Sequence, residues 1–266
     1  MTNQKSTTSS NPILWPGIVT VIGLLLLLSN FFLLGEINII DLWPLVLVLI
    51  GVQILLRGDI IPSSAFRTFG ITRGSIESAT IEINSGEIDV SIRPLQSSNH
   101  ERLIAGQFAH NSRPELNVSD VHANLTMHRQ KTPWLSFSNW ELGISQTLPW
   151  QIVISSYLGQ IVLDLSKVII HNALISTGIG DVHLISPTEA FEPLYIRSIL
   201  GNITISSPAG YNVRITSEGG RFFATHADES RYIETQPHVY VTINSDDTLP
   251  LVDIIITGTF GSAYLI

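Results

Sequence analysis

The sequence predicts an N-terminal transmembrane α-helical hairpin followed by an all-β domain built as a β-solenoid, and three observations predict it. Two apolar runs near the N-terminus begin with the same phrase, Leu14-Trp15-Pro16 and Leu42-Trp43-Pro44, spaced 28 residues apart. Beyond residue 74, apolar and polar residues alternate with period two, the signature of strands. Within that alternation a glycine recurs at a fixed phase, twice in succession at a spacing of 21 residues.

The first run, Pro12 to Leu34, carries no charge over 23 residues. At about 1.5 Å per residue it matches the roughly 30 Å hydrocarbon core of a bilayer. The second, Ile37 to Leu56, holds only Asp41 near its start and Gln53 within it, and the link from Gly35 to Asp41 does no more than reverse direction. Backbone polar groups in lipid must be satisfied within the segment, so both runs are expected as helices, each with a proline in its first turn. Trp15, Trp43 and Arg57 then fall at the membrane interface, and Gly23 and Gly51 fall inside, where a small residue lets two helices approach closely. A cleaved signal peptide would have a shorter apolar core and no second span. Lys5, Arg57, Arg67 and Arg73 flank the hairpin while Glu36 and Asp41 sit in its link, which by the positive-inside rule puts both termini in the cytoplasm. The expectation is a multi-pass protein of the cytoplasmic membrane with a cytoplasmic β-domain. It divides into a tail (1–11), the hairpin (12–57), a basic juxtamembrane linker (58–74) and the β-domain (75–266).

Glu36 and Asp41 are balanced by Lys5 and Arg57, so the whole formal charge of −8 falls on the remainder of the chain. Such a surface repels phosphate backbones and makes nucleic acid an unsuitable partner. The chain has no cysteine, which excludes disulfides and thiolate metal sites.

In the glycine ladder an apolar-x-apolar pair stands five residues ahead of each glycine and a second pair follows it. Ile152-x-Ile154 leads to Gly159 and Ile161-x-Leu163, Ala173-x-Ile175 to Gly180 and Val182-x-Leu184, and Leu194-x-Ile196 to Gly201 and Ile203-x-Ile205. Val213-x-Ile215 leads to Gly220 and Phe222-x-Ala224, Ile254-x-Ile256 to Gly261 and Ala263-x-Leu265, and an earlier copy runs from Ala79 through Gly86 to Ile92. Glycine at one phase of every unit marks a corner that needs positive φ or a close backbone approach. Repeats of this length, each with two short strands and a corner, stack as coils. The inward rows are then Ile161, Val182, Ile203, Phe222 and Leu163, Leu184, Ile205, Ala224. An antiparallel β-sandwich is the alternative, because alternation does not separate stacked coils from hairpins. Stacked in chain order, the coils would end in the apolar unit Ile254 to Ile266, an exposed edge that calls for a cover or a second copy.

Residues 95–150 fall outside this ladder and are expected as longer strands around Leu103–Phe108, Glu115–His128 and Trp134–Leu148. The outward positions Val153, Leu174, Tyr195 and Ile255 form an apolar strip that needs a cover, for which Trp134-Leu-Ser-Phe137-Ser-Asn-Trp140 is suited.

The hairpin with its repeated Trp-Pro and Ile-Gly resembles the transmembrane module of bacterial LiaF and LiaI-like proteins. The phrase from Leu148-Pro149-Trp150 to Gly159-Gln-Ile-Val-Leu-Asp164, with Gly180-Asp-Val-His-Leu and Gly201-Asn-Ile-Thr-Ile-Ser-Ser-Pro208, is similar to toast-rack and LiaF C-terminal β-domains. The resemblance implies a membrane-anchored β-solenoid of the cell-envelope-stress type, in which LiaF proteins restrain a sensor histidine kinase.

Enzymatic readings find little support. Asp164, Asp181 and His183 are the candidate catalytic group on an outer face, but Gln160, Asn202 and Arg221 at the level of Asp181 read as a solvated polar row. No histidine lies in a metal-binding pattern; His122 and His128 share a strand face only by parity. Gly178-Ile-Gly180 lacks the following helix of a phosphate loop. The sequence therefore points to a non-enzymatic protein without catalytic, cofactor or metal residues. It would act on the lipid bilayer, a membrane sensor kinase or copies of itself, as a regulator or alternatively as a self-associating scaffold.

Overall fold

In the computed structural model the described residues are 66–96, 101–109, 112–129, 139–243, 246 and 248–266, and all their regular structure is β. The chain divides into two units, 1–61 and 62–266, and everything described belongs to the second. The hairpin, with Trp15, Gly23, Trp43, Gly51 and Arg57, lies outside the described residues.

The strands are β1 (Phe66–Thr72), β2 (Ser78–Gly86), β3 (Asp89–Pro94), β4 (Arg102–Ala109), β5 (Glu115–Ser119), β6 (His122–His128) and β7 (Asn139–Ile144). There follow β8 (Pro149–Leu158), β9 (Ile161–Asp164), β10 (Ile169–Ile179), β11 (Val182–Ile185), β12 (Glu189–Ala190), β13 (Leu194–Leu200) and β14 (Ile203–Ser206). The last are β15 (Val213–Ser217), β16 (Phe222–Ala227), β17 (Tyr232–Gln236), β18 (Val239–Thr242) and β19 (Val252–Leu265).

Two parallel ladders organise them. The long ladder runs β6-β2-β8-β10-β13-β19-β15, and the short one runs β7-β3-β9-β11-β14-β19-β16. Each unit crosses from the long to the short ladder at the corner, β19 supplying both halves of its coil. Antiparallel pairing, which the sandwich alternative would spread through the core, is confined to the ends. There β5 covers β6, β4 and β1 cover β7, and the β17–β18 hairpin covers β15.

Alternation explains the core. Ile81, Ile152, Ala173, Leu194, Ile254 and Ile215 form one buried row of the long ladder; Val90, Ile161, Val182, Ile203 and Ala263 form one of the short ladder. β-branched side chains suit these pleated, stacked positions.

The structure corrects several expectations. β6 and β7 are ladder strands, so residues 95–150 do not stand apart; their long connections merely hide the repeat. Glu115–His128 is a hairpin, not one strand, because Asp120 turns the chain with φ +53°. β1 lies within the stretch expected as linker and pairs with β4. Trp140 is buried in β7 and Trp134–Phe137 lie outside the described residues, so the strip at Leu174 and Tyr195 stays exposed among the described residues. Phe222 and Ala224 point outward and Phe223 inward, a shift of one residue. Last, the final unit is not an edge. β19 sits between β13 and β15 in one ladder and between β14 and β16 in the other.

Candidate functional site: the glycine corner

The corner is built by backbone approach. A Cβ at Gly180 would lie 2.1 Å from the carbonyl oxygen of Gly159, one at Gly201 2.1 Å from that of Gly180, and one at Gly261 2.1 Å from that of Gly201. These three residues adopt φ of +146°, +152° and +128°. Their amides continue the ladder: Gly180 N–H donates to Leu200 O at 3.0 Å and Gly201 N–H to Phe260 O at 3.1 Å. Gly159 is held by close approach alone, since its Cβ would meet Ile88 O at 2.9 Å, and Gly86 has φ +62°. Gly220 meets neither condition. It is exposed beside Gly258, with 3.5 Å of room for a Cβ, and so is not a corner of this kind.

Just after three of the corners a side chain ties one coil to the next. Asp89 Oδ1 accepts from Gln160 N–H at 2.7 Å, Asp181 Oδ1 from Asn202 N–H at 2.7 Å, and Asn202 Oδ1 from Ser262 N–H at 3.0 Å. Asp181 is thereby committed to structure. Asp164 accepts from the amide and hydroxyl of Ser166 at the opposite end of the short strands. The candidate group Asp164, Asp181 and His183 is thus not brought together. His122 shares hydrogen bonds with Ser78 and Thr80, and no group of metal-ligating side chains occurs among the described residues. A recess at the β16 end is lined by Ser217, Glu218 and His238 among others, yet Ser217 Oγ is bonded to Thr225 Oγ1 at 2.7 Å.

Just before the corner stands a feature that the repeat reading missed. Leu158, Ile179, Leu200, Phe260 and Phe222 pair side by side in successive coils. They are 41%, 47%, 51%, 46% and 66% exposed. Phe222 and Phe260 stack with centroids 5.4 Å apart and planes at 12°. Tyr157 and Ile199, exposed on the adjoining outer face, widen the ridge. Its signal was present in the sequence: an apolar residue directly precedes Gly159, Gly180, Gly201 and Gly261. Such a contiguous apolar strip marks a contact surface more often than isolated exposed residues do.

Comparison with known proteins places the fold. A solved structure from Clostridium sporogenes ATCC 15579, of a protein proposed to act in cell adhesion, shares it with a TM-score of 0.63 at 18% identity, over 75% of this chain and 97% of that one. A proposed adhesin from Bacteroides fragilis NCTC 9343 aligns at 12% identity over 77% of this chain and 99% of that one, with a TM-score of 0.36. No curated protein matches the chain. Residues 65–192, which span β1 to β12, match the family model described as the N-terminal domain of toast_rack, DUF2154.

Proposed function

We propose that this chain is a membrane-anchored, non-enzymatic protein that works by surface contact, its β-stack holding the apolar ridge at the glycine corner against a partner. The carrying observation is the ridge itself: five large apolar side chains, each about half exposed, on strands whose cores are fully buried. Where polar side chains gather, at Asp181, Asp164 and Ser217, each is engaged in local hydrogen bonds, which supports contact over catalysis. The adhesion role proposed for the Clostridium sporogenes protein is in keeping with action by contact.

The membrane anchor rests on the two apolar runs of spanning length, and the cytoplasmic placement of the β-domain on the charges around them. The finer reading is a regulator of a membrane sensor kinase, as the LiaF resemblance implies; a self-associating scaffold is the second. Photocrosslinkers introduced in cells at Leu200 and Ile179, with Lys167 on the opposite side of the short ladder as control, separate these. Adducts with a kinase support regulation and adducts with the same chain support the scaffold. Crosslinking at the ridge, to protein or to lipid, no stronger than at Lys167 would remove the contact function. Reporter fusions at Gly35 and Ile266 test topology, with a cytoplasmic signal expected only at Ile266.

A further inference from the structure

We infer that the surface seated on the corner ridge is the lipid bilayer itself, so that the ridge is a membrane-facing edge of the β-domain; this rests on the contact reading above and names its partner. Two observations independent of the ridge's apolarity support it.

The first is where the chain enters the domain. Phe66, the first residue of β1, pairs with Ala109 of β4. Two residues before Ala109, Gln107 pairs with Glu141 of β7, and two residues before Glu141, Asn139 pairs with Asp89 at the start of β3. Asp89 directly follows the corner of its coil. The chain therefore enters level with the corners, on the edge that carries Leu158, Ile179, Leu200, Phe260 and Phe222. It does not enter at the opposite edge, where the short strands end at Asp164, Ile185 and Ser206.

The second is the length of the tether. The second apolar run of the sequence ends at Leu56 and β1 begins at Phe66. Residues 57–65 reach at most about 30 Å when fully extended. With strands about 4.8 Å apart, the near end of the ridge, Leu158 in the coil of β8 and β9, lies about four strands from β1 along β1-β4-β7-β3-β9, within that reach. A tether of that length lets this edge lie against the bilayer surface, and its side chains suit that surface, since Phe222, Phe260, Tyr157 and the aliphatic Leu158, Ile179 and Leu200 carry no charge. A second copy docked ridge to ridge fits less well. It would place the starts of both tethers at one shared interface, with no bilayer face left for either.

The chain has no cysteine, so single labelling sites are easily made. Leu200→Cys, Ile179→Cys and, as control, Lys167→Cys, each in the full chain, would be labelled with an environment-sensitive fluorophore. Each protein would be placed in nanodiscs of phosphatidylethanolamine and phosphatidylglycerol at one copy per disc. Blue-shifted emission at positions 200 and 179, with intensity lost to a nitroxide on shallow acyl-chain carbons, is expected, while position 167 emits as in water and is not quenched. Shielded emission that lipid nitroxide leaves untouched would overturn the bilayer while leaving a contact function intact. Water-like emission at all three positions would overturn the bilayer as partner, and the crosslinking result alone would then decide the contact function. Because positions 179 and 200 are exposed and outside the core rows, the replacements leave the fold in place; a second ridge variant, Leu158→Cys, checks that the result does not depend on one side chain.

Discussion

The middle coils, β8 to β14, and the C-terminal coils, β15 to β19, are written in the same pattern but assembled differently. In the middle each unit docks on its predecessor, and Gly159, Gly180 and Gly201 stack carbonyl on Cα at a spacing of 21 residues. At the C-terminus β19 passes over the preceding unit and takes the next layer, so that Gly261, not Gly220, stacks on Gly201. Composition explains the exchange. The inward positions of β19, Ile254, Ile256, Ala263 and Leu265, are apolar and fully buried. In the β15/β16 coil the corresponding positions include Ser217, Thr225 and Ala227, and the two hydroxyls bond each other. The more apolar coil gains more from two neighbours, and the coil with inward hydroxyls tolerates the end of the stack. Repeat phase thus sets local register, while the order of stacking follows from how apolar each coil is.

The sharpest way to break this comparison is to remove residues 251–266. If β19 is an inner layer, the truncated chain leaves β13 and β14 paired on one side only and releases β15 to β18 together. The loss is expected to exceed the whole stability of an ordinary domain, about 5–15 kcal/mol, for that half of the molecule. Limited proteolysis should cut throughout 207–250 while β2 to β11 resist. Protection of 213–242 in the truncated chain would mean that the C-terminal coils stack in chain order after all.

A smaller effect sharpens the same contrast at single residues. Gly180→Ala, Gly201→Ala and Gly261→Ala each force a Cβ to within 2.1 Å of a backbone carbonyl in a left-handed conformation. A loss of at least about 3 kcal/mol is expected for each. Gly220→Ala meets Gly258 O at an ordinary contact distance of 3.5 Å on an exposed stretch and is expected to stay within about 0.5 kcal/mol of the parent. Denaturant midpoints of the full chain in detergent measure all four. Equal losses at Gly220 and Gly201 would show that the C-terminal unit shares the regular corner.

Much of this was legible in the sequence. The alternation marked Ile152, Ile154, Ile161 and Leu163 as core, and the glycine phase located the corner, because in a parallel stack both are repeated unchanged. What escaped has physical causes. The hairpin at Asp120 interrupts the alternation by a single residue, from Leu116 and Val118 to Val121, Ala123 and Leu125, a slip too small to mark a turn by itself. β6 and β7 join the ladder through a connection so long that no fixed spacing survives. Phe222 and Phe223 offer two phases of one strand, and only the layer chosen by β19 decides between them. The ridge was missed because an apolar residue beside a corner glycine reads as one more core position, although the chain turns there and leaves it exposed.

The smallest effects concern buried hydroxyls, and they again set the two regions against each other. In the middle coils Ser198 is buried without a hydrogen-bond partner among the described residues. Ser198→Ala is expected to be neutral or stabilising by up to about 1 kcal/mol, since it removes an unsatisfied group. In the C-terminal region Tyr232, also buried, donates to Ser207 Oγ at 2.7 Å and anchors the β17–β18 hairpin. Tyr232→Phe is expected to cost about 1 kcal/mol at neutral pH. Burial pushes the Tyr232 phenol above its ordinary value of 10.0, with Ser207 and Arg231 opposing that shift in part. The unfolded chain therefore ionises first as pH rises. The stability that Tyr232 contributes is complete below about pH 10 and is lost as pH climbs from there through the folded value. Urea titrations at neutral pH and above pH 10 should show the gap between the parent and Tyr232→Phe closing with alkalinity. The variant keeps a residual slope from Tyr240, which burial and then Glu234 also raise. A gap that stays constant across that range would mean that the Tyr232 hydroxyl is reached by solvent, and with it that the hairpin does not seal the end of the long ladder.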